Sequence, residues 1–299
     1  MMTEPTVAKS NLDGWLVIDK PAGPSSAKGV RSIKRLACGR KVGHGGTLDP
    51  LATGVLPIAI GEATKTVAYA MEGRKSYRFT TTWGEARETD DCEGEISETS
   101  PVRPSKSAIQ AALPEFTGEI NQVPPAYSAI KVAGKRAYAL ARRGKEVTLV
   151  PRKIWIEKLE LVEFQPGSAI FEVTCGKGTY IRALARDLAK RLGTVGHVSQ
   201  LRRTAVGPFN EKVAISLDIM ETLVHSARLA EQVLPVDTAL ADIPALELTE
   251  YDALRLRSGQ TIAVNGTDCE TIRVTTGKRL VALAKIRTGH LRSLRVFNL

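Results

Sequence analysis

Between residues 75 and 83 the chain reads Lys-Ser-Tyr-Arg-Phe-Thr-Thr-Thr-Trp, with Tyr77, Phe79, Thr81 and Trp83 alternating with Arg78, Thr80 and Thr82. Successive side chains of a strand point to opposite faces, so this period of two predicts a strand with one face turned to a core. Lys153 to Phe164 and Ala169 to Cys175 read as further long strands. Directly behind them Ile181, Leu184, Ala185, Leu188 and Leu192 recur at helical spacing, predicting a helix over 179–192 with a narrow apolar stripe.

The other segments fit between these. Trp15-Leu16-Val17-Ile18 predicts a short buried strand, and Ser25 or Ser26 caps a helix with Val30, Ile33 and Ala37 on one face and a basic outer side. Val55 to Ile60 reads as a buried strand that Pro57 places at an edge or a bulge. Helices are expected at Glu62–Met71, Ser105–Leu113 and across Ser216–Leu240. After Asp242-Ile243-Pro244, the best linker, a helix at Thr249–Arg257 and three short alternating segments suggest a small β-rich domain. That region holds nine Lys and Arg against five acids.

The length of 299 residues suggests two domains. Charge narrows the class of partner: 42 Lys and Arg against 32 Asp and Glu leave +10, which favours a polyanion, since each cation set on a phosphate releases condensed counterions. No apolar run reaches the roughly 18 residues of a membrane span, and Met1 to Pro5 lacks the pattern of a signal peptide, so a cytoplasmic protein is expected. Cys38, Cys92, Cys175 and Cys269 lie far apart, as do His44, His197, His225 and His290, which indicates neither a disulfide framework nor a metal site.

The segment Gly43 to Gly54 holds four glycines, one histidine, one aspartate and two threonines. That density of permissive backbone and reactive groups points to function, yet a turn started by Asp49-Pro50 reads equally well from the residues alone. No Gly-Lys-Ser/Thr follows, so it is not a P-loop. By the same residue-level reading Tyr77 is a core aromatic, Arg182 a solvated helix residue, Leu201 core, and Lys131 to Lys145 a solvated basic face.

The run GHGGTLDPLATGVLPIAIGEATK resembles the signature of the TruB family of pseudouridine synthases. The resemblance continues through Lys20-Pro21-Ala22-Gly23-Pro24-Ser25-Ser26, Lys75-Ser76-Tyr77-Arg78, Gln122 to Ala129, Lys177-Gly178-Thr179-Tyr180-Ile181-Arg182 and Leu201-Arg202-Arg203. It implies isomerisation of uridine 55, in the T-arm loop of tRNA, to pseudouridine by a stand-alone monomer with no cofactor and no metal. It also implies an α+β fold. A catalytic domain over 1–243, with a mixed, largely antiparallel central sheet and an RNA-binding thumb at about 124–152, precedes a small PUA-like β-rich domain over 244–299.

The resemblance makes Asp49 the nucleophile, a role for which a carboxylate needs no activating base. The target base would be flipped into a pocket. Tyr77 matches the stacking tyrosine and candidate proton acceptor, and Arg182 the arginine that positions the carboxylate, with Tyr180 beside it. Asp91 matches a second acid near that arginine, His44 a histidine that meets the flipped-out region, and Lys20 and Leu201 residues of the pocket. Lys131, Lys135, Arg136, Arg142, Arg143 and Lys145 become thumb contacts to the RNA backbone, which position the RNA without reading its bases.

Two departures stand out: Gly45 replaces the usual threonine, and Arg87-Glu88-Thr89 replaces Thr-Asp-Thr. Rival readings are a tRNA-folding chaperone, a guide-RNA-dependent synthase, which the short tail disfavours, and a glycosidase using Asp49 with a second carboxylate as acid.

Overall fold

The computed structural model describes residues 12–299 apart from Cys38, Ala129, Ala133, 142–147, His225 and Ser226. Arg142, Arg143, Lys145, Cys38, His225 and the Met1–Pro5 terminus therefore lie outside the described residues. In chain order the first half runs β1 (Gly14–Lys20), α1 (Ser26–Leu36), β2 (Val42–His44), β3 (Thr53–Ile60), α2 (Val67–Glu72), β4 (Lys75–Trp83), β5 (Glu85–Arg87), β6 (Ile96–Thr99), α3 (Lys106–Ala112), β7 (Gly118–Gln122), β8 (Lys131–Val132), β9 (Lys135–Arg136) and α4 (Ala137–Ala141). There follow β10 (Arg152–Gln165), β11 (Ser168–Cys175), α5 (Ile181–Arg191), β12 (Gly196–Val206), β13 (Phe209–Asn210), β14 (Ile215–Ser216), α6 (Leu217–Val224), β15 (Ala245–Glu247), α7 (Glu250–Arg257), β16 (Ile262–Ala263), β17 (Cys269–Thr276), β18 (Arg279–Arg287) and β19 (His290–Val296).

Among the described residues a large mixed sheet runs β14-β1-β3-β12-β4-β11-β10-β7, with β2 added on β3 and β13 on β12. Its ladders are antiparallel except β1 with β14 and β12 with β3. The alternating segment is β4, with Phe79 opposite Leu201 of β12 and Phe171 of β11. A second sheet, β15-β17-β18-β19-β16, forms the C-terminal β-rich domain, closed by α7 around Leu256, Val274, Val281 and Leu291. No helix of the described residues is long and apolar enough to cross a membrane.

β1 and β3 are apolar on both sides because both faces of the sheet are covered there. Leu16, Ile18, Leu56 and Ile58 join Ile33 of α1 and Leu184 and Leu188 of α5 on the front. Trp15, Val17, Val55 and Ala59 meet Phe209, Val236, Leu280, Leu283 and Phe297 on the back, so the C-terminal sheet packs against the large one.

Three expectations are corrected. β3 is an interior strand in continuous register with β1, with no bulge at Pro57. On its other side β12 pairs only with Thr53 and Gly54, and β2 only with Ala59, Ile60 and Ile58. The proline nitrogen faces that side, as its carbonyl does when it accepts from the Gly45 amide, and no ladder donor is required between the two short pairings. Second, Ser216–Leu240 is not one helix: α6 is followed by 3₁₀ turns at Ala227–Gln232 and Val236–Leu240. Leu234 instead exchanges both backbone hydrogen bonds with Trp15, and Pro235 cannot continue a helix. Third, Glu62–Met71 starts as a 3₁₀ turn over Gly61–Thr66 and becomes α-helical only at Val67.

Candidate active site

Asp49 sits in the loop between β2 and β3, and that loop is held by its backbone from both sides. The Ser26 hydroxyl donates to the Leu48 carbonyl at 3.1 Å and accepts from the Leu48 amide at 2.8 Å. Of the two serines expected to cap α1, Ser25 occupies the cap position without a side-chain capping hydrogen bond, and Ser26 is committed to the loop. Lys20 Nζ donates to the carbonyls of Pro50 at 3.0 Å and Ala52 at 2.6 Å. Burial is the main cause that lowers the Lys20 pKa to about 8, with Asp49 opposing it.

Arg203 supplies the third anchor. It is 1% exposed and donates to the carbonyls of Val55 at 2.8 Å, Gly46 at 3.0 Å and Thr47 at 3.3 Å. A buried cation is tolerated only when hydrogen bonds replace its water, and carbonyl oxygens do so here. The approach requires Gly54, whose φ is +98° and where a Cβ would lie 2.2 Å from the Arg203 carbonyl oxygen. The Tyr77 hydroxyl faces the same guanidinium; burial pushes its pKa up and Arg203 opposes that.

Arg182, on the first turn of α5, joins two carboxylates. It is 5% exposed, with Nη2 3.0 Å from Asp49 Oδ2 and Nη1 3.1 Å from Asp91 Oδ2. Nη1 also donates to the Thr89 carbonyl at 2.7 Å and Nη2 to the Tyr127 carbonyl at 3.0 Å. The two acids differ in access: Asp49 keeps 39% of its side chain exposed, Asp91 only 3%. Asp91 Oδ1 is filled by the Thr89 hydroxyl at 2.5 Å and the Glu93 amide at 3.0 Å, so the altered turn still delivers a fully partnered carboxylate.

Tyr180 occupies the cap position of α5, where the buried Gln122 amide holds its backbone N at 2.9 Å and its carbonyl at 3.1 Å. Leu201 is buried on β12, on the same face as Arg203 two residues on. His44 ends β2 opposite Ile58, and burial, then Arg203, lowers its pKa, favouring the neutral ring. Gly45 faces away from this group: a Cβ there would meet Trp15 and Ala70 at 3.3 Å, so its loss of a side chain answers to packing on the back of the sheet. Lys131, Lys135 and Arg136 fall on the β8–β9 hairpin.

Thus Asp49, Asp91, Arg182, Lys20 and Tyr77 converge, directly or through Arg203. Arg203, Gln122 and Ser26 were not singled out by sequence, although each lies inside a quoted motif. A strand arginine two residues from a core leucine was the available signal for Arg203, because it must point inward. The arrangement offers one accessible carboxylate, fixed at both flanks and paired to a buried cation, with a half-buried phenol nearby.

Residues 34–181 match the model for the TruB family pseudouridylate synthase N-terminal domain, and residues 182–241 that for the tRNA pseudouridylate synthase B C-terminal domain. The tRNA pseudouridine synthase B of Rhodopseudomonas palustris is 53% identical over 99% of this chain and 84% of its own length. That of Rhodospirillum rubrum is 54% identical over 96% and 97%. Among solved structures, a chain of an H/ACA RNP bound to a substrate RNA containing 2′-deoxyuridine superposes with a TM-score of 0.74 at 24% identity, over 96% of this chain and 86% of that one, which shows the shared fold. With consecutive family models over 34–241 and relatives sharing about half its residues along nearly all its length, the chain belongs to the TruB family of pseudouridylate synthases.

Proposed function

We propose that this enzyme isomerises uridine 55, in the T-arm loop of tRNA, to pseudouridine, with Asp49 as nucleophile. The observation that carries the reading is the Arg182–Asp49 pair at 3.0 Å, in which the arginine is buried and the carboxylate open. Breaking the bond between uracil N1 and ribose C1′ leaves the ribose electron-deficient, and a fixed carboxylate at that carbon meets the deficiency. The uracil then turns, C5 bonds to C1′, the C5 proton leaves and N1 gains one, so the product is an isomer of the substrate.

The target nucleotide must leave the stack of the RNA loop, and Tyr77 is assigned to stack on it and to take the C5 proton. Burial raises the Tyr77 pKa, and Arg203 beside the hydroxyl opposes that shift, in the direction an acceptor role requires. Arg182 orients Asp49, and Asp91 holds Arg182 from its other edge. Tyr180, His44, Leu201 and Lys20 shape and support the pocket, and the basic Lys131–Lys145 segment, with the PUA-like C-terminal domain, carries RNA backbone contacts. The glycosidase alternative is disfavoured because the second carboxylate, Asp91, is committed to a cation and two donors.

The test is release of tritium from C5-labelled uridine in unmodified tRNA, with product mapped by position. Release by the wild type and its loss in Asp49→Ala is the expected result. Release that persists in the variant would remove Asp49 from the nucleophile's role, and an inert wild type would favour a folding chaperone or a guide-dependent enzyme.

A further inference from the structure

One turn beyond Arg182 on the same face of α5 lies a second arginine that the reaction does not use. Arg186 Nη1 meets Asp90 Oδ2 at 2.8 Å, Nη2 donates to the Val123 carbonyl at 2.7 Å, and Nε is 2.9 Å from Asp187 Oδ1. Asp90 is one of two non-glycine residues with positive φ among those described, at 59°, a conformation that costs an L residue energy unless its surroundings fix it. Its carbonyl accepts from the Val198 amide at 3.1 Å, tying the turn to β12.

The two arginines grip the same two segments. Arg182 takes Thr89 and Asp91 from the acidic turn and Tyr127 from the stretch that leads to β8; Arg186 takes Asp90 from the turn and Val123 from the start of that stretch. Only Arg182 reaches Asp49. If the turn moved, Arg182 would lose two of its partners, and its hold on Asp49 would loosen.

We infer that Arg186 is a positioning residue: through Asp90 and Val123 it locks the acidic turn around Asp90 and the 123–127 stretch onto α5, so that Arg182 presents Asp49 to the ribose. The inference rests on the function proposed above. It gives the Arg186–Asp90 pair a purpose separate from that of Arg182 and Asp91.

The test measures single-turnover pseudouridine formation, tRNA affinity and melting temperature on the full chain carrying Arg186→Gln, Asp90→Asn, both together, and Arg186→Lys. Each single change should slow the chemical step by about tenfold, as a small misplacement of a reacting group does, with affinity kept within about twofold. The double variant should be no slower than Arg186→Gln alone, since that change already removes the Asp90 contact along with the one to Val123, and Arg186→Lys should recover part of the rate by keeping the charge. Asp90→Gly, which accepts positive φ freely, should match Asp90→Asn in rate while retaining the fold. Rates within twofold of wild type, losses that multiply in the double variant, or losses that follow the melting temperature would overturn the inference. An active wild type with indifferent variants sinks this inference alone; an inert wild type sinks the proposed function with it.

Discussion

The two faces of the large sheet are held by opposite means. On the front, the Asp49 loop is fixed by Lys20, Arg203 and Ser26 acting on backbone atoms, with Arg182 on the carboxylate itself. On the back, the C-terminal domain adheres through Trp15, Val17, Leu280, Leu283 and Phe297. Apolar burial is proportional to area and indifferent to direction, whereas hydrogen bonds from a buried cation fail when displaced by a fraction of an ångström. The molecule spends directional contacts where atoms must be placed, and area where two bodies need only stay together.

The contrast can be broken most severely at the front. Asp49→Ala should lower the rate of pseudouridine formation at least roughly a thousandfold with little change in melting temperature, as loss of a nucleophile does. Water can replace the half-exposed Asp49 carboxylate beside Arg182, whereas Asp91 is buried with that arginine, so Asp91→Asn should cost about 3 kcal/mol of stability in denaturant titrations as well as rate. On the back, Phe297→Ala should cost about 3 kcal/mol, yet the surviving folded enzyme should turn over at the wild-type rate; a matching loss of rate would erase the distinction between the faces.

A pH series sharpens the front-face argument. Burial lowers the Lys20 pKa to about 8 from 10.5, so between those values the unfolded chain binds more protons than the native one. The stability difference between wild type and Lys20→Met should therefore shift in favour of wild type as pH rises from about 8 toward 10. Smallest of all, Arg279→Gln removes an exposed pair with Glu250 and should change stability by less than about 0.5 kcal/mol.

How much of this could be read from the residues depends on whether period or pairing carries the signal. β4, β11 and α5 show clean alternation or a clean stripe and are legible, and β10 is legible by its length in spite of two register shifts. β12, at the centre of the sheet, was not marked as a strand: a register shift between Val198 and Gln200 breaks its alternation, and inward Arg203 masks it as polar. The long helix expected over Ser216–Leu240 failed because Leu234 pairs with Trp15, far away in sequence. The turn that carries Asp90 and Asp91 gives no local sign of its partners, Arg182 and Arg186, which lie some ninety residues later. Asp49, Tyr77 and Arg182 are legible by resemblance; Arg203 shows only in its spacing from Leu201, and Gln122, whose partner is the backbone of Tyr180, leaves no trace in composition or spacing.

Packing on the back of the sheet also constrains the order of events during synthesis. β1 is synthesised well before its partners: its parallel neighbour begins at Ile215, its backbone partner is Leu234, and the residues that cover Trp15 and Val17 include Leu280, Leu283 and Phe297. Lys65 donates to the carbonyl of Val296, 231 residues away. Contacts of such separation are slow to form. The back face of the strand pair β1 and β3 therefore waits for its apolar cover until the C-terminal sheet has been made, an interval in which it offers a surface prone to association.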